Sequence, residues 1–498
     1  MMARGATLAG LQQAMSAGSL TSAGLTAFYL DRIERLNPEL HAVITVSPAA
    51  LTEARGCDQQ RASGAEAGPL AGIPVLVKDN IAAAGLPATA GSPALADTES
   101  GDAFLVAGLR AAGAVILGKA NLSEWANIRS THSSSGWSTL GGQTANPHGA
   151  GRNPSGSSSG SAAAVAAGLA PVGIGTETDG SILSPASACG VVGLKPTVGL
   201  VSRGGIVPIS AVQDTAGPMA SCVADAAALL TALAGPDPAD PATTRAPARA
   251  ADYTAFLDPL ALRGARLGVW REASKDLVPA GTALLDAAVA RLRSCGAEVI
   301  DQVPLPGMEQ MKDAELAALT HEFKHDLNAY LAALPGRHPM TLAELIDFNL
   351  RHADRVLAHF GQELFEWAEG TSGDLRDASY TSARGEADRL ARTALDGALS
   401  GDLGGAGGGA LDAVVALSSG PAWLTDHVLG DCDRGMSTSG PAAVCGYPSI
   451  SVPAGQVSGL PVGLTFMGPA WSEPRLLALA FAFEQAAGLR ERPPVAQR

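Results

Sequence analysis

The sequence predicts an α/β fold, and three observations carry that expectation. Short apolar runs of strand length recur along the chain, among them Ile73–Val77, Ala114–Leu117 and Val172–Ile174. Stretches with helical character lie near them, at 102–112, 161–170 and 223–233. Strands alternating with helices argue for a sheet with helices packed around it. The third observation is bulk: 498 residues, 46% of them hydrophobic and only 16% charged, supply the apolar material for a large core.

The first 65 residues read as helices packing on the main body, which spans 66–498. Helices are predicted at 7–18 and 22–36, with Thr7 and Ser22 as caps. Leu8, Leu11 and Met15 form one apolar stripe; Leu25, Phe28 or Tyr29, Ile33 and Leu36 form another. Asn37-Pro38 is expected to stop the second helix, and a more polar third is expected at 50–64. Residues 128–160 are mostly Ser, Gly, Asn and Thr; so long a loop inside a compact fold is usually functional. Residues 234–250 read as a surface connection. Beyond them come strands at 266–269 and 297–300 around a helix at 282–293. A charged, mainly helical region follows at 309–398, then a glycine-rich stretch at 400–409 and the apolar Leu411–Leu417. Strands at 448–452 and 463–466 and a helix at 473–486 close the chain.

The net charge of −14 disfavours nucleic acid as a partner, because a phosphate backbone needs a basic patch. No run of about 20 apolar residues suggests a membrane span and no signal peptide is evident, so a cytoplasmic protein is the expectation, with a removed leader left open; a monomer is favoured, with the oligomeric state left open. None of the six cysteines forms a CxxC pair; Cys189 and Cys445 read as buried thiols.

Two small-residue runs stand out, Ser155–Ser161 and Gly175–Ile182, each against an apolar segment. A glycine-rich turn lets successive backbone N–H groups converge on an oxyanion, and a serine there is a nucleophile once something takes its proton. Neither run contains histidine, so a serine–histidine arrangement would have to borrow His132 or His148. Gly156-Ser-Ser158-Ser-Gly160 satisfies GxSxG literally, but Asn146–Ser155 is not the strand that such an elbow needs. His321-Glu322-Phe-Lys-His325 satisfies HExxH without a third ligand at the usual spacing; a solvated helix face is the expected reading. Gly113–Lys119 satisfies GxxxxGK, yet Ala120 replaces the Ser or Thr of a phosphate loop and Val115–Leu117 reads as strand. Trp125, Trp137, Trp423 and Trp471 lie in or near loops, where some would line a pocket and more would fill core.

The chain resembles the amidase signature family over nearly its whole length. The resemblance rests on Gly72-Ile-Pro-Val-Leu-Val-Lys-Asp-Asn80, Gly118-Lys-Ala-Asn-Leu-Ser-Glu-Trp125, the two serine runs and Pro461-Val-Gly-Leu-Thr-Phe466. It implies one α/β domain with a large mixed sheet between helical layers, and a Ser–cis-Ser–Lys triad. Carried over by position, Ser181 is the nucleophile, Ser157 the relay after a cis peptide bond, and Lys78 the base. Thr178, Asp179, Gly180 and Ser181 would supply oxyanion-binding amides, and Ser158 would support the lysine. No metal or organic cofactor is implied. Residues 309–398 fall in the family's variable territory and are expected to shape the substrate cleft.

Two departures from the common pattern matter: Asp179 sits beside the oxyanion amides, and Leu183 stands where an arginine is usual. With Asn121–Asn127 and Lys195–Arg203, these resemble the family's peptide amidase branch, which removes C-terminal amides from peptides. The expected function is therefore deamidation of peptide amides through a seryl acyl-enzyme. Small aliphatic or aryl amides are the alternative, and a non-catalytic interaction protein of the same fold is a further one. Such a triad requires a neutral lysine, whose ordinary pKa is near 10.4. Burial lowers it, and Lys78 directly follows an apolar run.

Overall fold

The computed structural model describes residues 6–64, 68–246, 252–403, 409–433, 437–489 and 493–497. Its strands are β1 Val43–Val46, β2 Pro74–Lys78, β3 Val115–Ala120, β4 Trp137–Ser138, β5 Gly142–Gln143, β6 Val172–Glu177 and β7 Val192–Lys195. They continue with β8 Thr215–Ala220, β9 Arg266–Val269, β10 Glu298–Ile300, β11 Ala413–Leu417, β12 Ser449–Val457 and β13 Leu460–Met467. Apart from the small β4–β5 pair, these strands form one sheet in the order β1-β3-β2-β6-β8-β7-β12-β13-β11-β9-β10.

The sheet is mixed. β3, β2 and β6 run parallel to one another, as do β11, β9 and β10, while β8, β7, β12 and β13 join the two groups through antiparallel pairs. Each residue of β2, β3 and β6 is buried. That explains why these strands read as continuous apolar runs: parallel strands covered on both faces need no polar side. One large apolar cluster ties them to the helices Leu8–Ser16, Ser22–Leu40, Phe104–Ala111, Ser159–Ala167 and Val223–Leu233. The result is a single α/β domain with helical layers covering the sheet.

The N-terminal helices bury the stripes read from sequence: Leu8, Leu11 and Met15, then Leu25, Tyr29, Ile33 and Leu36. The stop expected at Asn37-Pro38 is displaced. The helix runs on through Pro38 to Leu40 and ends where His41 turns left-handed, at φ 49°. Asn37 keeps the last turn in place, because its side chain both donates to Val43 O and accepts from Val43 N, each at 2.8 Å. The segment then adds β1 to the sheet edge beside β3.

Other strands, β8, β7 and β12 among them, lay outside the reading from sequence or were cut short by it. β8 reads Thr-Ala-Gly-Pro-Met-Ala, and β7 reads Val-Gly-Leu-Lys; both mix small residues with a turn former or a charge. The strand expected at 448–452 extends to Val457 as half of a long hairpin with β13. Residues 309–398 are helical at Met308–Ala333, Leu342–Arg351, Ala353–Val356, Glu363–Glu369 and Ala378–Ser400. Part of the connection expected at 234–250 lies outside the described residues; within it Asp237, Asp240 and Thr243 are buried rather than on the surface. Among the described residues no helix is long and apolar enough to cross a membrane.

The long loop 128–160 is ordered by a buried charge. Arg129 and Glu124 have no exposed side-chain surface and are bonded to each other. The guanidinium also lies 4.1 Å from the ring centroid of Phe360, and Glu124 accepts from Thr139 N at 2.6 Å. Removing one member of such a pair strands the other charge, so Arg129→Ala is expected to cost about 3–5 kcal/mol in chemical denaturation. The double variant Arg129→Met with Glu124→Gln should recover most of that loss. A single variant within about 1 kcal/mol of wild type would show that the pair does not constrain the loop.

Candidate active site

The site forms at the carboxyl ends of two adjacent parallel strands, where an α/β sheet ordinarily binds its ligands. β2 pairs with β6 through Val75–Val172, Leu76–Gly173 and Val77–Ile174. Lys78 is the last residue of β2 and Glu177 the last of β6, so the two strands deliver their terminal side chains to one place. Just past β6 comes the turn Thr178–Ser181. The serine run arrives from a third direction, as the lead-in to the helix Ser159–Ala167.

Lys78 has no exposed surface, and its ammonium donates to Ser157 Oγ at 2.7 Å and to Thr176 Oγ1 at 2.8 Å. A third contact reaches Thr176 O at 3.2 Å. Burial lowers the Lys78 pKa from 10.5 to about 7; the nearby acids Glu177 and Asp214 act the other way and keep it from falling further. The peptide bond between Gly156 and Ser157 is cis, as the resemblance implied. Ser157 O accepts from Ser123 N at 3.1 Å, and Ser159 Oγ donates to Ser155 O at 2.6 Å, so the run is tied down on both sides.

Ser158 reaches the lysine indirectly. Its hydroxyl donates to Thr176 O at 3.1 Å and accepts from Thr176 N at 3.2 Å, and Thr176 in turn contacts Lys78. The approach is close enough that a Cβ at Gly175 would lie 2.7 Å from Ser158 Oγ, so only glycine fits there. Ser158 N also donates to Ser181 O at 3.1 Å, which places Ser181 against the serine run through the backbone. The hydroxyls of Ser157 and Ser181 form no hydrogen bond with each other among the described residues.

The turn that carries Ser181 is shaped by Glu177. Its buried carboxylate accepts from Ile182 N at 2.6 Å and Leu183 N at 3.0 Å. Burial raises the Glu177 pKa, and the buried Lys195 ammonium opposes this. Gly180 has φ +79°, and a Cβ there would sit 2.9 Å from Ser439 Oγ. With this geometry the backbone N–H groups of Thr178, Asp179, Gly180 and Ser181 donate to no partner among the described residues. A row of unengaged amides in a turn is what an oxyanion requires.

Four residues that the sequence did not single out organise the site. Thr176 joins Lys78 to Ser158, and Glu177 fixes the turn. Asp214 accepts from Thr178 Oγ1 at 2.6 Å, and Gln213 Nε2 lies 3.4 Å from Thr178 O. Burial pushes Asp214 up to about 6. Thr176, Gln213 and Asp214 depend on partners in other elements, and Glu177, whose partners Ile182 and Leu183 follow within six residues, shows its role only once the turn is formed.

The histidines considered from sequence go elsewhere. His148 Nε2 lies 2.9 Å from Cys189 O, and His132 is exposed beside Thr131 and Glu363. The solvated face expected for HExxH is a partial misreading. His325 is exposed, but Glu322 has no exposed surface and is held by Arg384, Tyr380 and Ser210. The GxxxxGK stretch is the buried strand β3, and its Lys119 donates to the carbonyls of Ile81 and Pro87. Cys189 and Cys445 are buried and free. Trp125 and Trp137 are buried, while Trp423 lines a cavity of about 880 Å³.

That cavity lies near the turn Thr178–Ser181, and Lys78, Ser157 and Ser181 do not line it. Its wall includes Met311, Lys312, Ser437 and Gly440. A Cβ at Gly440 would lie 3.6 Å from Asp179 Oδ2, so one layer of atoms separates the cavity from the turn.

Comparisons with known proteins give the family. The family described as Amidase matches residues 24–477. The native peptide amidase of Stenotrophomonas maltophilia superposes with a TM-score of 0.90 at 50% identity, covering 98% of each chain. A probable amidase from Arabidopsis thaliana is 42% identical over 98% of this chain and 91% of its own length. A glutamyl-tRNA(Gln) amidotransferase subunit from Synechococcus sp. is 34% identical over 97% of this chain and 98% of its own length.

The buried lysine makes a stability prediction. Its pKa is about 7 when folded and near 10.5 when unfolded, so between those values the unfolded chain binds more protons and stability rises with pH. The slope from this group is about 1.4 kcal/mol per pH unit at most. Lys78→Met lacks that component. The unfolding free energy of wild type minus that of the variant should therefore grow by roughly 2 kcal/mol from pH 7 to pH 9. A difference that stays flat with pH would show that Lys78 is not kept neutral by burial.

With the family matched along most of its length, the chain belongs to the amidase family and is an amidase-signature hydrolase of carboxamides.

Proposed function

We propose that this protein hydrolyses the C-terminal carboxamide of peptides, giving the free acid and ammonia, through an acyl-enzyme on Ser181. The observation that carries the reading is the 2.7 Å bond between Ser157 Oγ and a fully buried Lys78 whose pKa is about 7. A base with that pKa is largely neutral at mildly alkaline pH and still binds a proton when one arrives. Ser157 passes its own proton to Lys78 and takes that of Ser181. Ser181 Oγ attacks the amide carbon, and the carbonyl electrons move onto oxygen, facing the amides of Thr178–Ser181. The proton returns through Ser157 to the leaving nitrogen as the C–N bond breaks. Water, deprotonated through the same relay, then cleaves the ester and restores Ser181.

Two observations favour a peptide over a small amide. The relative from Stenotrophomonas maltophilia at 50% identity is a peptide amidase. The cavity of about 880 Å³ beside the oxyanion turn is also far larger than an aliphatic amide needs. The helix Met308–Ala333 lends it Met308, Met311 and Lys312, and this is how the region 309–398 would shape the cleft. Trp270, Trp423 and Leu460 add apolar wall.

Ammonia release from an N-acyl dipeptide amide and from propionamide, with aniline release from an anilide alongside, tests the reading. The peptide amide should give at least roughly tenfold higher kcat/KM, and Ser181→Ala should lower it by roughly four orders of magnitude or more. Wild-type activity in Ser181→Ala would overturn the mechanism; turnover of the small amides alone would overturn the peptide assignment. Since the base acts when neutral, kcat/KM should rise through about pH 7 and hold above it. A profile that falls as pH rises through 7 would contradict a lysine base.

A further inference from the structure

We propose that the buried Glu322–Arg384 ion pair, acting through Gln213 and Asp214, positions the oxyanion-binding amides of the turn Thr178–Ser181. The inference rests on the reading of Ser181 as nucleophile. It concerns residues well outside the two serine runs.

The pair is built with care. Arg384 Nε donates to Glu322 Oε1 at 2.9 Å and Nη2 to Oε2 at 2.7 Å, the two-pronged arrangement that fixes both planes. Tyr380 OH adds 2.8 Å to Oε1 and Ser210 Oγ adds 2.6 Å to Oε2, so the carboxylate carries four donors. A buried ion pair is a weak source of stability compared with apolar packing of the same volume, but it sets geometry strictly. Here the geometry is passed on. The remaining Arg384 nitrogen, Nη1, donates to Gln213 Oε1 at 2.7 Å.

Gln213 and its neighbour Asp214 then hold Thr178 from two sides. Gln213 Nε2 donates to Glu315 Oε1 at 2.6 Å and reaches Thr178 O at 3.4 Å. Asp214 Oδ1 accepts from Thr178 Oγ1 at 2.6 Å. Its Oδ2 accepts from Ile209 N at 2.8 Å and Ser210 N at 3.0 Å. The chain thus runs from the helices Met308–Ala333 and Ala378–Ser400, through the segment 209–214, to the first residue of the turn.

The consequence follows from peptide planarity. Thr178 C=O and Asp179 N–H belong to one rigid unit, so a group that holds the carbonyl also aims the N–H. A hydroxyl anchored at 2.6 Å fixes the Thr178 Cα about which that plane pivots. If the anchors are lost, the Asp179 amide is free to swing away from the developing oxyanion. The ground-state substrate, held in its cavity, loses little. Gln213 and Asp214 are therefore positioning residues, and Glu322, the middle acid of the HExxH stretch, is structural support for catalysis and not a metal-site base.

The test uses the full-length enzyme with an N-acyl dipeptide amide as substrate and phenylboronic acid as inhibitor. The boronic acid adds to a serine hydroxyl as a tetrahedral anion and so reports on the oxyanion amides. Gln213→Leu is expected to lower kcat by about 10- to 100-fold with KM within about threefold. Boronic acid affinity should fall by a factor similar to that of kcat/KM. Thr178→Val removes the other anchor from the turn side and should show the same split, at about fivefold or more. It decides the matter if Gln213→Leu does not fold. Loss of kcat with unchanged boronic acid affinity overturns the proposal, and so does kcat within twofold of wild type in a folded variant. Ser181→Ala separates the two readings. If it abolishes turnover while Gln213→Leu and Thr178→Val behave as wild type, only the positioning chain is wrong. If it leaves turnover intact, the nucleophile reading is wrong.

Discussion

A lysine ammonium with no exposed surface is the constraint on which the rest of this site depends. A group whose charged form is penalised by burial can act as a base near neutral pH, and only a protein interior supplies that penalty. The fold provides it by putting Lys78 at the end of β2, between β3 and β6, in a stretch where every residue is buried. Parallel pairing of β2 with β6 brings Thr176 across from the lysine, so the ammonium has partners when a proton arrives. Buried acids at Glu177 and Asp214 temper the shift, and the outcome is about 7 rather than a value too low for proton transfer at physiological pH.

The same acids have second duties, and this economy explains the tightness of the site. Glu177 moderates the lysine and also binds the N–H groups of Ile182 and Leu183, which folds the turn around Ser181. Asp214 moderates the lysine and also anchors Thr178. Leu183, where the resemblance expects an arginine, is buried and presents its backbone to Glu177; in this chain the turn is closed by a carboxylate and not by a cation at that position. A change at either acid would therefore disturb the electrostatics of Lys78 and the geometry of the turn Thr178–Ser181 together.

What sequence could reveal divides along the reach of each interaction. β2, β3 and the start of β6 were legible because a strand buried on both faces needs consecutive apolar residues. The helices at 8–16 and 22–40 were legible as periodic stripes, though the end of the second was not. Pro38 is a stop only if nothing else holds the last turn, and the Asn37–Val43 bonds hold it. β8 was hidden because Gly217 and Pro218 read as turn formers, while its pairing with β6 and β7 on both sides is a tertiary fact. Lys78, Ser157 and Ser181 came from a family resemblance carried by long motifs. Thr176 sits inside the second serine run and Gln213 and Asp214 lie outside every motif, but their roles are defined by partners as far as 171 positions away, as for Gln213 and Arg384.

The helical region 309–398 shows how charge misleads when read alone. Its acids and bases suggested solvated faces, yet Glu315, Glu322 and Arg384 are buried. On one helix, the turn that exposes His325 hides Glu322, because the inward face meets the segment 209–214 and the helix Ala378–Ser400. Met311 and Lys312 of the same helix face the cavity beside Asp179. One helix therefore supplies wall to the cavity and, through Glu322, joins the network that reaches Thr178. Under the proposed reading, a change in this helix would bear on the cavity wall through Met311 and Lys312 and on the turn through Glu322.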